Sequence, residues 1–259
     1  MDNKTYYENF DWESSNLAER LRQKIEIIKS LIPKDVVTIA DIGCGDGSIS
    51  NRLAKDYKLF AFDRSKNALK YLTTHKAQAS ADFLPLKTNS VDLLFSSELI
   101  EHLPNNIFEL AIQEFKRVAK KYILLTFPNN ENIEKNLVQC TNCMHFFNKS
   151  YHLRSINQVI VESLFDEFNI IKSFRIGHRI RSYNNFLLKI KHKYSPPSSW
   201  IPKHWTPDGR RQTMCPKCGN AFQIEYKFNL ISFVCDSLNT FISPKIPYQL
   251  CILLKKKDV

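Results

Sequence analysis

Asp41-Ile42-Gly43-Cys44-Gly45-Asp46-Gly47-Ser48 is the stretch whose reading decides the fold. It leaves the β-branched run Val36-Val37-Thr38-Ile39-Ala40-Asp41-Ile42, which reads as a buried strand, and opens a segment, Ser48 to Tyr57, that reads as a helix. Glycines at a strand-to-helix turn let the backbone bend tightly and let a ligand approach the main chain with no Cβ in between. The spacing is G-x-G-x-G, with Ser48 where a G-x-G-x-x-G dinucleotide loop would carry its third glycine. Twenty residues after Gly43, Asp63 closes a second strand, Leu59 to Asp63, at the position where a carboxylate can accept from both hydroxyls of a ribose.

Working outward, strands and helices alternate. A helical period in Leu17, Leu21, Ile25, Ile28 and Leu31 precedes Pro33. A helix is expected over Ser65 to Thr74, and a weak third strand near Ala77 to Ser80. Val91 to Ser96 reads as a fourth strand, Asn106 to Lys120 as a helix, and Tyr122 to Phe127 as a fifth strand. Ile156 to Phe168 then reads as a helix, Asn169 to Ile176 as a sixth strand and Tyr248 to Leu254 as a last one. This alternation predicts an α/β fold: a Rossmann-like, mostly parallel sheet covered on both faces, whose ligand lies beyond the carboxyl ends of the strands. Residues 1–33 are expected to form an N-terminal helical cap. One domain is expected over 34–259, with insertions at about 131–150 and 178–245.

Three features stand in register: the glycine loop, Asp63, and Ala79-Ser80-Ala81-Asp82-Phe83-Leu84-Pro85-Leu86 followed by Ser90-Val91-Asp92. With Glu98-Leu99-Ile100-Glu101-His102-Leu103, they make residues 36 to about 130 resemble the class I S-adenosylmethionine (SAM)-dependent methyltransferases of the ubiquinone-biosynthesis-like type. The resemblance implies SAM as cofactor and a last strand that runs antiparallel. It implies that Gly43, Gly45 and Gly47 line the methionine half of SAM, with Asp41 and Cys44 in the same loop. Asp63 would hold the ribose with Arg64 beside it, Ser80 and Ala81 the adenine, and Ser96 and Glu98 the floor beneath the sulfonium. Relatives commonly carry Asp where Ser80 stands. Glu98, His102 and His152 are the catalytic candidates. Glu101 and His102 read equally as residues that cap and pack a helix. His152 lies in Tyr151-His152-Leu153-Arg154-Ser155, a segment whose like recurs at this place in small-molecule methyltransferases. It could bind the acceptor, act as general base or cap a helix.

Seven cysteines in a chain that reads as cytosolic point to metal or chemistry rather than to a disulfide framework, with structural zinc weighed against free thiols or a redox pair. Cys140-x-x-Cys143 and Cys215-x-x-Cys218 are two knuckles separated by 71 residues, and two such turns can close a tetrahedral four-thiolate zinc site. Met144 stands where a glycine is usual, and Gly219 is present in the second knuckle. A closed site has no open position, so the zinc is structural, expected to clamp two loops as a wall over the acceptor pocket. His145 could pack at the knuckle or ligate in place of a cysteine. Cys44, Cys235 and Cys251 read as packed.

The balance of 37 Lys and Arg against 26 Asp and Glu gives +11, which favours an acidic partner. No recognisable nucleic-acid module accompanies the charge, so nucleic acid is not favoured. The longest apolar stretches are strand-sized and the N-terminus is polar, so a cytoplasmic protein without membrane association is expected. The expected reaction is methyl transfer to oxygen, or less readily nitrogen, of a small polar metabolite, sugar or glycan precursor, with or without a phosphate. His178, Arg179, Arg181 and Tyr183 could meet such a phosphate, and Tyr6 and Tyr7 could close over the cofactor. The alternatives are an RNA or protein methyltransferase and a catalytically silent SAM-binding scaffold whose zinc loops grip a partner.

Overall fold

The computed structural model describes residues 8, 18–196, 199 and 211–257. Tyr6 and Tyr7 lie outside them. The chain divides into two compact units. Of the described residues, the core unit holds 8, 18–129, 156–178 and 247–257, and the insert unit holds 130–155, 179–196, 199 and 211–246.

The core unit is built on strands β1 (Thr38–Ile42), β2 (Lys58–Asp63), β3 (His75–Gln78), β4 (Val91–Ser97), β5 (Ala119–Pro128), β8 (Phe168–Arg181) and β11 (Lys245–Lys256). They form one sheet in the order β3-β2-β1-β4-β5-β11-β8. Strands β1 to β5 pair in parallel, and β11 runs antiparallel to β5, with Leu250 opposite Phe127 and Leu254 opposite Ile123. Lys257 N donates to Glu167 O at one end of the β8/β11 pair, while the His178 and Tyr248 rings meet at the other. The two strands therefore run in opposite senses, and β8 is parallel to the first five.

Alternation along each strand sends neighbours to opposite faces. In β4 and β5, Leu94, Ile123, Leu125 and Phe127 enter one core while Leu93, Phe95 and Leu124 enter the other. Helix α1 (Ala18–Leu31) supplies Ile28 and Leu31 to the second core. Helix α3 (Asn105–Val118) supplies Ala111, Ile112, Phe115 and Val118 to the first, joined by Val161 of α4 (Gln158–Leu164). Both faces are thus covered, as a sheet of near-continuous apolar strands requires.

The helices expected after β1 and β2 are shorter than their apolar pattern suggests. The first is a single turn, α2 (Ser50–Leu53), and the second a 3-10 turn, Ala68–Tyr71. The Asn51 carboxamide donates to Tyr71 O and accepts from Thr73 N and Thr73 Oγ1. These bonds hold the chain after Leu72 extended, where a helix would have continued.

The insert unit has two small hairpins, β6 (Leu137–Gln139) with β7 (Phe146–Asn148) and β9 (Gln212–Met214) with β10 (Ala221–Gln223). Two helices that the apolar pattern did not announce, α5 (Asn185–Tyr194) and α6 (Leu230–Ile242), pack on each other. Asn184 and Asn229 cap them, each accepting from backbone N–H groups of the first turn. No described helix is long and apolar enough to cross a membrane.

Candidate functional site

At the carboxyl edge of the core sheet, the glycine loop is tied to the tip of β2. Gly43 N and Cys44 N donate to Phe62 O at 2.8 and 3.1 Å, and Gly45 N donates to Asp63 Oδ2 at 2.9 Å. Gly43 and Gly47 adopt φ of 75° and 74°, and a Cβ at Gly47 would lie 2.6 Å from Leu72 Cγ. The outer glycines therefore satisfy the protein's own packing as well as the turn.

Asp63 also accepts from Ser65 N through Oδ1 at 2.8 Å. Burial pushes its carboxyl up, opposed by those two N–H groups. Two of its roughly four acceptor sites are used, so it retains capacity for ribose hydroxyls. Beside it Glu8, a residue that sequence reasoning passed over, accepts from Lys66 N at 3.1 Å and through its carbonyl from Asn67 Nδ2 at 2.7 Å. Arg64 follows on, its carbonyl taken by Gln78 Nε2 at 2.9 Å.

Asp41 is the unusual group. It is buried, Ser50 Oγ donates to its Oδ2 at 2.5 Å, and its Oδ1 has no hydrogen-bond partner among the described residues. Burial, with Asp63 nearby, raises its pKa to about 7 against the Ser50 bond that lowers it. A buried carboxylate oxygen left without a donor costs free energy unless a ligand completes it. The ammonium group at the amino-acid end of SAM has the complementary charge, and the residues around the loop fit that group. Cys44 stays a thiol, since burial drives its pKa well up.

The floor is made by β4 and β5. Ser96 Oγ donates to Ile42 O at 2.9 Å, and Ser97 and Thr126 share a hydrogen bond of 2.8 Å. Glu98 sits at φ 55°, a strained conformation for a non-glycine residue, pinned by its N–H to Thr126 O at 2.8 Å. Its Oε1 accepts from Thr126 Oγ1 at 3.1 Å and meets Lys24 Nζ of α1 at 3.4 Å. Lys24, Ile176, His178, Tyr248 and Gln249 line an adjoining cleft of about 420 Å³ within the core unit. Ser80 donates to Asp82, and Ala81 is buried next to it. His102 ends a 3-10 turn, with its ring 3.8 Å from the buried Glu101 carboxylate.

Not every residue of the motifs faces this edge. Asp92 accepts from Val37 N, Thr38 N and Thr38 Oγ1 at the opposite end of the strands, which holds its carboxyl low despite burial. Glu114 and Arg117 of α3 fasten the Leu84-Pro85-Leu86 segment through Leu84 N and Leu86 O.

In the insert unit the four cysteines converge, with their sulfurs all within 4.8 Å of one another. Cys140 and Cys218 Sγ are 3.6 Å apart, as are Cys143 and Cys215. Zinc–sulfur bonds of about 2.3 Å in a tetrahedron require sulfur separations near ~3.8 Å, so the set fits a structural zinc ion. The two knuckles match: Met144 N and Gly219 N each donate to the carbonyl of the first cysteine, and both residues adopt positive φ. Burial opposes ionisation of Cys140, yet the N–H groups of Cys143 and Asn142 and the neighbouring thiols bring its pKa down to about 6. The His145 ring stacks on Phe147.

His152, in the same unit, is buried against the buried Glu131 carboxylate through Nδ1, and Asn136 Nδ2 donates to the other Glu131 oxygen at 3.2 Å. Glu131 carried no sequence signal, because only the fold brings it to His152. Of the remaining candidates, Tyr183 is engaged by Asp236 at 2.5 Å, and Arg179 and Arg181 donate to Lys245 O and Ser243 O.

Comparison with known proteins agrees with the fold. Residues 40–125 match the methyltransferase domain family. Among solved structures, a SAM-dependent methyltransferase from Archaeoglobus fulgidus is similar with a TM-score of 0.55 at 14% identity, covering 91% of this chain and 94% of that one. The complex of the Haloferax volcanii Trm112 methyltransferase activator with a methyltransferase is similar with a TM-score of 0.56 at 12% identity, over 99% of this chain and 98% of that one. The PH0226 protein of Pyrococcus horikoshii gives 0.52 at 18% identity, over 68% and 94%. No curated protein matches. At these identities the structural likeness is one of fold. The match over residues 40–125 is to a methyltransferase domain, about a third of the chain, and it supports an enzyme of that kind.

Proposed function

We propose that this chain moves the methyl group of SAM to an oxygen of a small polar acceptor, with a structural zinc ion closing the insert unit. The observation that carries the cofactor assignment is Asp41: a buried carboxylate whose Oδ1 lacks a donor, in a glycine loop fastened to Asp63. In this reading Asp41 takes the ammonium end of SAM and Asp63 and Arg64 the ribose. Gly43, Cys44, Gly45 and Gly47 carry the amino-acid tail, Ser80 and Ala81 the adenine, and Ser96 and Glu98 the floor. SAM when bound supplies a methyl group already activated on a sulfonium, so the protein's task is alignment and exclusion of water.

An alcohol acceptor must lose its proton as the bond forms, and His152 is the base we assign. A carboxylate only accepts hydrogen bonds, so Glu131 fixes the proton on Nδ1 and orients the ring. The cleft beside Lys24 and His178 suits a polar acceptor, and Lys24 links it to Glu98. Cys140, Cys143, Cys215 and Cys218 hold the zinc and take no part in transfer.

Calorimetry tests the cofactor: SAM should bind and a nicotinamide dinucleotide should not, and the reverse result refutes the assignment. Release of S-adenosylhomocysteine on a panel of phosphorylated metabolites and nucleotide-linked sugars then identifies the acceptor. With an acceptor in hand, His152→Ala should lower turnover roughly a hundredfold or more while SAM affinity stays unchanged. Full turnover in that variant would remove His152 from the chemistry.

A further inference from the structure

Helix α6 is inside out. Its buried positions, Ser232, Cys235 and Asn239, are polar or small, with Asp236 half-buried beside them and the buried Ser243 following. Their groups are satisfied within the insert unit: Asp236 accepts from Tyr183 Oη and Lys191 Nζ, and Asn239 binds Asn184 N and Ser182 O. The outward positions are Leu230, Ile231, Val234, Leu238, Phe241 and Ile242, with Phe241 88% exposed and Leu230 64%. A helix on a soluble surface turns its apolar stripe inward, and here the stripe faces away. A contiguous apolar face of this kind marks a contact surface.

The charge around that face identifies its occupant. Residues 179–246 hold eleven Lys and Arg against three Asp and Glu, which is most of the chain's net charge of +11. Lys227 and Lys245 flank α6 in sequence and are exposed, as are Lys189 and Lys193 on α5, where Lys193 lies over the exposed Tyr194 ring. An exposed apolar helix face, with exposed lysines in the chain just before and after it and others on the helix it packs against, has the composition of a helix that lies in a membrane interface. There the apolar side enters the acyl boundary and the lysines reach anionic headgroups. At 13 residues α6 is too short to span a bilayer, which needs about 20. A second copy of the chain would bring two strongly basic surfaces together, which disfavours self-association.

We propose that the insert unit docks on an anionic lipid surface through the outward face of α6. The sequence-based expectation of no membrane association rested on the lack of a spanning segment, a criterion blind to a helix that lies flat.

The test is flotation of the full-length protein with vesicles of phosphatidylcholine alone and of phosphatidylcholine with phosphatidylglycerol. Binding should need phosphatidylglycerol and weaken at least tenfold when salt shortens the screening length from about 10 Å toward about 3 Å. The double substitution Leu238→Ser and Phe241→Ser should lower the vesicle partition coefficient at least tenfold, with the zinc content and melting temperature of the protein unchanged. Lys189→Glu with Lys193→Glu should do the same through charge alone. Wild-type protein that fails to float with either vesicle overturns the proposal, as does binding indifferent to the Leu238 and Phe241 substitutions. Sedimentation showing a dimer that those substitutions dissolve would overturn it in favour of a second copy.

Discussion

In the core unit a sheet of alternating apolar residues is buried on both faces, and the polar groups at its carboxyl edge are left incomplete. In the insert unit short hairpins bury little, and the cysteines, His152 and Asp236 close on neighbouring polar groups, with Ser199 Oγ left buried without a partner among the described residues. Asp41 Oδ1 lacks a donor, and Glu98 is held at a strained φ of 55°. By contrast the four cysteines face one another, His152 faces Glu131, and Asp236 takes both Tyr183 and Lys191. The core unit is stable enough, through its apolar burial, to carry unfinished groups that a ligand completes. The insert unit buries fewer apolar side chains, among them Val138, Phe147, Leu187, Leu188 and Ile224, and relies more on its closed networks.

Removing the metal is the strongest way to break that contrast. Structural zinc contributes on the order of 10 kcal/mol to small domains that fold around it. Chelation, or Cys215→Ser, should open β6, β7, β9 and β10 to rapid amide exchange while β1, β4 and β5 stay protected. Hydrogen exchange measured by mass spectrometry reads both units at once. Equal loss in both, or no change in either, would show that the two are not separately stabilised.

Within the core unit Asp63→Ala removes a carboxylate proposed to take two ribose hydroxyls, and charged hydrogen bonds contribute about 1.5–3 kcal/mol each. SAM affinity measured by calorimetry should fall roughly a hundredfold, with amide exchange in the insert hairpins unaltered. An unchanged dissociation constant would detach Asp63 from the cofactor.

The same contrast explains what the sequence disclosed. Strand positions such as Ile39, Leu94 and Ile123 announce themselves because a two-sided sheet demands apolar runs. The glycine loop and the cysteine knuckles are local patterns, so both could be read directly. Helix α6 was hidden because its apolar residues point outward and its buried ones are Ser, Cys and Asn. The reach of Glu131 to His152, of Lys24 to Glu98 and of Glu8 to the loop after β2 spans residues distant in sequence or without a motif of their own.

A smaller effect tests whether the loop glycines serve the protein or the ligand. In Gly47→Ala the new methyl would lie 2.6 Å from Leu72 Cγ at a φ of 74°. Overpacking of this kind costs about 1–3 kcal/mol. The melting temperature should drop by several degrees without added SAM. Loss of SAM affinity at unchanged stability would mean that Gly47 acts on the ligand alone.

The smallest effect concerns the incomplete carboxylate itself. The ordinary value for Asp41 is 3.8, and burial raises it to about 7 in the folded chain. Its folded-state pKa is above the unfolded one, so the stability it contributes is complete below about pH 4 and is lost as pH rises through about 7. A cation placed at Oδ1 favours the ionised form, so SAM binding below pH 7 must release a proton from this site. Affinity should then rise by no more than about tenfold per pH unit between roughly pH 5 and 7 and level off above. Calorimetry in two buffers of different ionisation enthalpy counts the proton, and Asp41→Asn should abolish its release. A proton still released by that variant would assign the linkage to another group and leave Asp41 as a residue of the turn.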